Sequence, residues 1–135
     1  MNSIKSLVIL VDDQQAALDF YTKKLGFEVH TDATFGEGNR WVTVNLPGQK
    51  DLEISLALAR SDEARARVGK QSDEQSPLIG FATTDIESDI ANFRANEVQL
   101  ASELMNEPWG RFVFFEDLYG NRMYLHEEKK DGTTS

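Results

Sequence analysis

The 135-residue chain contains no cysteine, which removes disulfides, thiolate metal sites and cysteine nucleophiles together. Histidine is nearly as scarce: with only His30 and His126, few zinc or iron centres can be built. Basic residues are in deficit, 14 Lys and Arg against 23 Asp and Glu, giving a formal charge of −9. No clustered Lys/Arg run exists to neutralise phosphates, so neither a nucleic-acid partner nor an anionic-membrane partner is expected. No apolar run approaches the roughly 20 residues that span a bilayer. The start, Met1-Asn2-Ser3-Ile4-Lys5, lacks the charged leader and apolar segment of a signal peptide. These absences predict a cytoplasmic protein. What is present is globular: 40 % hydrophobic and 27 % charged residues, with eight Phe, three Tyr and two Trp. The length suits one domain, because two independent ones would each sit near the lower limit for a self-sufficient core.

The hydrophobic pattern then gives the element order. Ser6 to Val11 reads as a buried strand, and Asp12 and Asp13 offer N-caps for a helix over about 14–25. Its apolar stripe is Leu18, Tyr21 and Leu25, widened by Ala17 and Phe20. Strands follow at 27–31, 40–46 and 52–58. Residues 59–76 form a polar linker with a short exposed helix within 59–67. The pattern restarts with a strand over 78–83. Thr84 is then the expected cap of a capping box with Glu87, opening a helix striped by Ile86, Ile90 and Phe93. Val98-Gln99-Leu100 reads as a short strand, and 111–115 with 122–126 as a hairpin about Asp117-Leu118-Tyr119-Gly120-Asn121. The two halves share the order strand, helix, strand, strand, strand. Asp13 to Asp85 is 72 residues; Phe27 to Val98, Arg40 to Arg111 and Glu53 to Tyr124 are each 71. Four matches in register indicate an internal duplication.

Two β-α-β-β-β units, with Phe20-Tyr21-Thr22-Lys23-Lys24-Leu25-Gly26-Phe27 closing the first helix, resemble the vicinal oxygen chelate superfamily. Pro108-Trp109-Gly110-Arg111 and Phe115-Glu116-Asp117-Leu118-Tyr119-Gly120-Asn121 fit its last hairpin. The superfamily includes glyoxalase-type lyases, extradiol dioxygenases, fosfomycin-resistance transferases and bleomycin-resistance binding proteins. The resemblance implies an α+β fold, with two tandem modules whose mixed sheets form a curved half-barrel around a central cavity, and a homodimer. The expected layout is one domain over 1–127 (module 1 about 4–58, linker 59–76, module 2 about 77–127) and a flexible tail over 128–135. Fold of this kind hosts several chemistries, so activity has to be argued from the site.

Metal-using members place a ligand in the first and last strand of each module. Here those positions hold Ser6, Glu53, Leu78 (or Ile79) and Tyr124, of which only Glu53 is an ordinary ligand. No cofactor is therefore expected; a rearranged Glu53/Tyr124/His126 set keeps a divalent metal open. Strand alternation puts Trp41, Thr43, Asn45, Glu53 and Ser55 on the cavity side of module 1, with Ser6 and Val8. In module 2 it puts Phe112, Phe114, Tyr124 and His126 there. Such an aromatic wall with one carboxylate suits a small aromatic or cationic organic molecule. Plainer roles compete: Trp41, Phe112 and Phe114 as core, Glu53 as a structural acid paired with Arg40 or Arg111, His126 as a core or rim residue. His30 is expected on the exposed face. The leading expectation is a metal-free binding protein for a small ligand. The alternatives are a lyase, isomerase or dioxygenase with a non-standard metal site or with Glu53, its pKa raised, as catalytic general base, and a fold kept for protein association.

Overall fold

The computed structural model describes residues 1–128. The chain divides into two compact units, one spanning Met1–Gln71 and one beginning at Ser72. Each is built on a four-stranded mixed sheet, and the fold class is α+β.

In the first unit the strands are β1 (Ser6–Val11), β2 (Glu28–Phe35), β3 (Asn39–Asn45) and β4 (Glu53–Leu58), in the spatial order β1-β4-β3-β2. β1 runs parallel to β4; the other pairs are antiparallel. Helix α1 (Gln14–Asp19) starts where Asp13 accepts the Ala16 N–H, as an N-cap should. The pattern predicts one regular helix to residue 25, but the last turn, Phe20–Lys24, is a wider π turn. There Thr22 Oγ1 donates back to the Leu18 carbonyl at 2.8 Å, an alternative partner that loosens the regular ladder. The turn still buries Phe20 and Tyr21, and Tyr21 meets Phe27 edge-on at 5.4 Å. Ile9, Val11, Val42, Val44, Ile54 and Leu56 make up the buried side of the sheet. At about 1.5–3 kcal/mol for each fully buried aliphatic side chain, this layer fixes the register, since a one-residue slip would expose all of it. Helix α2 (Asp62–Ala66), capped by Ser61, lies in the polar stretch as expected. Gln71 shields the open edge of β1: its amide accepts from Leu10 N–H at 2.7 Å and donates to the Val8 carbonyl at 3.1 Å.

The second unit has β5 (Ile79–Thr83), β6 (Met105–Glu107), β7 (Gly110–Glu116) and β8 (Arg122–Glu128), in the matching order β5-β8-β7-β6. Three details differ from the sequence pattern. Helix α3 (Ile86–Ala95) is capped by Asp85, whose carboxylate accepts the Ser88 N–H; Thr84 plays no such part. The third element is β6, whereas 98–100 makes only an isolated bridge between Leu100 and Phe115. Finally, β8 runs through Glu128, which belongs to the strand rather than to the expected tail; residues 129–135 of that tail lie outside the described residues. Glu127 is buried because it works inside the unit. One oxygen takes Arg111 Nε and Nη2 at 3.0 and 2.7 Å, and the other accepts the Ile86 N–H at 2.8 Å, one of the donors that α3 cannot satisfy itself. The hairpin loop is equally specific: Asp117 accepts from the Tyr119 and Asn121 amides and from Asn121 Nδ2, and both Asp117 and Asn121 are buried.

Candidate functional site

Each sheet presents one face to its own helix and one away from it. On the second unit the away-facing side is aromatic. Phe112 pairs directly with His126 across β7 and β8, and Phe114 with Tyr124. The rings form a continuous wall: Phe112 to Tyr124 5.5 Å, Phe114 to Tyr124 5.5 Å, Tyr124 to His126 6.0 Å between centroids. All four are half-buried, while Val113, Phe115, Met123 and Leu125 between them are buried. Next to this wall β5 carries almost no bulk, since Gly80 faces Tyr124 and Ala82 faces His126.

Two members of the wall escape the sequence pattern. Trp109 stands just before β7, outside any alternation. It stacks on Phe112 at 5.1 Å with 12° between planes, and one half of it is exposed (51 %). Arg122 opens β8 with the parity of Tyr124 and His126, and its guanidinium sits 4.2 Å from the Phe114 ring centre. Burial pushes the Tyr124 phenol up from its ordinary value of 10.0, so at neutral pH it is a hydrogen-bond donor. His126 Nε2 is buried and has no hydrogen-bond partner among the described residues. Gly110 makes room for it: a Cβ there would lie 2.6 Å from that nitrogen and 2.5 Å from the Glu127 carbonyl oxygen.

On the first unit the corresponding face is polar. Ser6 faces Glu53 across β1 and β4, and Thr43 faces Ser55 across β3 and β4. Thr43, Asn45, Glu53 and Ser55 are buried, and Asn45 donates to Glu28 at 3.1 Å. Trp41 is exposed (46 %), as is Val8. Glu53 is paired, though with neither expected arginine: Arg40 binds Asp32, and Arg111 binds Glu127 and Glu87. Its partners are Lys5 Nζ at 2.9 Å and His30 Nδ1 at 3.2 Å. His30 is exposed, as expected, and still reaches Glu53 because β2 carries a bulge between Val29 and Thr31.

The Glu53 carboxyl is held below the ordinary glutamate range. The Lys5 ammonium is the main cause, followed by the Thr43 hydroxyl, which lies beside it without completing a well-aligned hydrogen bond; burial opposes both. This reverses the raised pKa that the sequence suggests, because the carboxylate is ion-paired rather than stranded among rings.

The metal positions of the fold can now be tested against the donors present. The residue facing Tyr124 is Gly80, not Leu78, which precedes β5; the two units therefore pair their outer strands in different register. Ser6, Glu53, Gly80 and Tyr124 supply one ordinary ligand. Among the described residues no three His, Asp or Glu side chains are grouped to hold a metal ion. Within its own unit, neither the Ser6–Glu53 pair nor the Gly80–Tyr124 pair offers more than one ordinary ligand of the zinc or non-haem iron type.

A protein-family model described as Glyoxalase/Bleomycin resistance protein/Dioxygenase superfamily matches residues 3–125. An uncharacterized protein of Shewanella frigidimarina (strain NCIMB 400) is 31 % identical over 120 residues, 88 % of each chain. Among solved structures, UcmS2 is similar with a TM-score of 0.82 and 27 % identity, covering 93 % of this chain and 98 % of that one. TnmS3, an antibiotic binding protein from Streptomyces sp. CB03234, has a TM-score of 0.79 and 26 % identity, over 96 % and 98 % of the two chains.

Proposed function

This chain belongs to the Glyoxalase/Bleomycin resistance protein/Dioxygenase superfamily, and from that premise we propose that it is a metal-independent binding protein for a small, planar aromatic molecule. The observation that carries the proposal is the wall of Trp109, Phe112, Phe114, Tyr124 and His126, five rings on one sheet face beside the small residues of β5. Stacking supplies affinity at about 0.5–1.5 kcal/mol for each good ring pair beyond area burial. The neutral Tyr124 hydroxyl is a polar group of the type that orients a ligand on an apolar wall. The similar protein TnmS3 is an antibiotic binding protein, which agrees with this reading. The −9 charge of the chain draws cationic compounds from a distance, whereas Arg122 over Phe114 disfavours a cation at that end of the wall.

Catalysis with Glu53 as general base fits less well, since Lys5 and His30 favour its charged form and weaken it as a proton acceptor at neutral pH. The proposal includes a cytoplasmic location and a homodimer, the dimer being what the superfamily resemblance implies; sedimentation velocity checks the dimer.

A thermal-shift screen of planar aromatic compounds, with cationic, neutral and anionic members, tests the binding role. A ligand at about a hundred times its Kd stabilises by about 2.7 kcal/mol, a shift of several degrees. The expected result is such a shift for at least one compound, reduced in Phe114→Ala. A panel without any shift contradicts the proposal.

A further inference from the structure

In the second unit, β7 and β8 outrun their outer neighbours. β6 pairs with β7 only between Gly110 and Phe112, and β5 pairs with β8 only from Met123 onward. Phe114 and Arg122 lie beyond these ladders, so their backbone groups on the open side need other partners. Serine hydroxyls take that place. The Ser72 hydroxyl accepts the Arg122 N–H at 2.7 Å, and the Leu78 N–H donates to the Arg122 carbonyl at 2.7 Å. On β7 the Ser102 hydroxyl accepts the Phe114 N–H at 3.0 Å, and the Ala101 N–H donates to the Phe114 carbonyl at 2.8 Å. Neither serine is loosely placed. Asp73 closes a turn after Ser72 by accepting the Gln75 and Ser76 N–H groups, each at 2.8 Å. Ser102 gives its own hydrogen to the Glu103 carbonyl at 3.0 Å, which leaves its oxygen free to accept.

The two residues held in this way are the two that meet as cation and ring, with the Arg122 guanidinium 4.2 Å from the Phe114 ring centre. Arg122 Nε is buried there and has no hydrogen-bond partner among the described residues. A carboxylate is close at hand, since Glu116 stands directly opposite Arg122 across β7 and β8. A mobile guanidinium would favour that carboxylate, because charge-assisted pairs are the stronger contact. Arg122 nevertheless makes no ion pair among the described residues and rests on the ring. The preference follows from where the two backbones are pinned, since a cation–ring contact is weak unless its geometry is fixed.

We propose that Ser72 and Ser102 are positioning residues of the aromatic wall: by pinning the backbones of Arg122 and Phe114 where the outer strands end, they lock guanidinium onto ring and keep that end of the wall preformed. The inference deepens the reading of the wall as a binding surface and rests on it, because a wall whose side chains are already ordered loses less entropy when a ligand stacks against it. Ser72, in the polar stretch expected to be only a linker, thereby acts on the wall.

The Arg122 Nε–H proton resonance of the full chain, without ligand, is the readout, since a proton held over a ring is shifted upfield by the ring current. Phe114→Leu removes the ring and gives the reference position. Ser72→Ala should lose at least half of the upfield shift, and so should Ser102→Ala, whose hydroxyl partner is the Phe114 N–H rather than any group of Arg122. Ser72→Thr and Ser102→Thr keep a hydroxyl and should retain the shift. Each alanine variant should also speed exchange of the amide it releases, Arg122 or Phe114, about fivefold, as befits one net hydrogen bond. Cysteine, a poor acceptor of similar size, replaces alanine in any variant that does not fold, with the same loss expected. An Nε–H shift that stays at the parent position without the hydroxyls would overturn the proposal, and so would an equal loss in the alanine and threonine variants. No bound compound enters the measurement. Failure of the aromatic panel would therefore refute the wall reading without moving these shifts, whereas unmoved shifts would refute the positioning role and leave binding to the panel.

Discussion

Replacing Gly110 by alanine tests how tightly the wall is built. Gly110 has φ +145°, a backbone state that L side chains rarely adopt, and an added Cβ would stand 2.5 Å from the Glu127 carbonyl oxygen and 2.6 Å from His126 Nε2. The first contact is backbone of the paired strand and cannot swing aside. Backbone strain of this type costs about 1–3 kcal/mol, and overpacking a further ~1–3 kcal/mol. The sum, about 2–6 kcal/mol, is a large share of the ~5–15 kcal/mol that holds a typical domain folded. Gly120→Ala separates the two contributions, because Gly120 also has positive φ (+89°) but has nothing within 4 Å of its Cβ position. Equilibrium denaturation followed by far-UV circular dichroism is the assay. Gly110→Ala should lose about 1–3 kcal/mol more than Gly120→Ala at unchanged m-value. Equal losses would refute the close approach of β7 to β8 at this point.

Other outcomes follow from the ion pairs. Glu53 has a depressed folded-state pKa, so its stabilisation is full above the ordinary glutamate value of 4.5 and disappears as pH falls through the lower folded value. Thermal melts across that acid window should show a loss in the parent that is smaller in Glu53→Gln; parallel curves would contradict the pairing with Lys5. Glu127→Ala leaves Arg111 with Glu87 alone and the Ile86 N–H without its acceptor, and should cost about 1–3 kcal/mol, whereas Glu87→Gln, at the exposed arm of the same arginine, should stay within about 0.5 kcal/mol in the same melts. Gln71→Ala should speed hydrogen exchange of the Leu10 amide severalfold, since Gln71 Oε1 is its partner on the open edge of β1.

Much of the architecture was legible in the chain because periodicity and burial obey the same geometry. The alternation Arg111 to Phe115 and Arg122 to His126 separated the wall from the core, and the 71–72 residue offsets announced two like units. What escaped was local. The β2 bulge that turns His30 toward Glu53 adds one residue to a strand without changing its composition. Asp85 and Thr84 are both good caps, and only backbone geometry chooses between them. Trp109 lies outside strand parity, and Arg122 looks like an ordinary solvated end of a strand until the ring of Phe114 is beneath it. The pairing of Tyr124 with Gly80 instead of Leu78 depends on strand register, which sequence offsets fix only to within a residue or two. Glu127 carries no periodic signal of its own at the end of the last strand, and its role appears only with Arg111 and α3 in place.

The central claim is metal-independent stacking on the wall, and calorimetric titration tests it most directly. The best compound from the aromatic panel is titrated into the parent protein after exhaustive chelation, and into Phe112→Ala treated in the same way. Binding should survive chelation unchanged and weaken about tenfold in Phe112→Ala. Binding that vanishes with the chelator and returns with a divalent metal, or that ignores Phe112→Ala, would contradict the account.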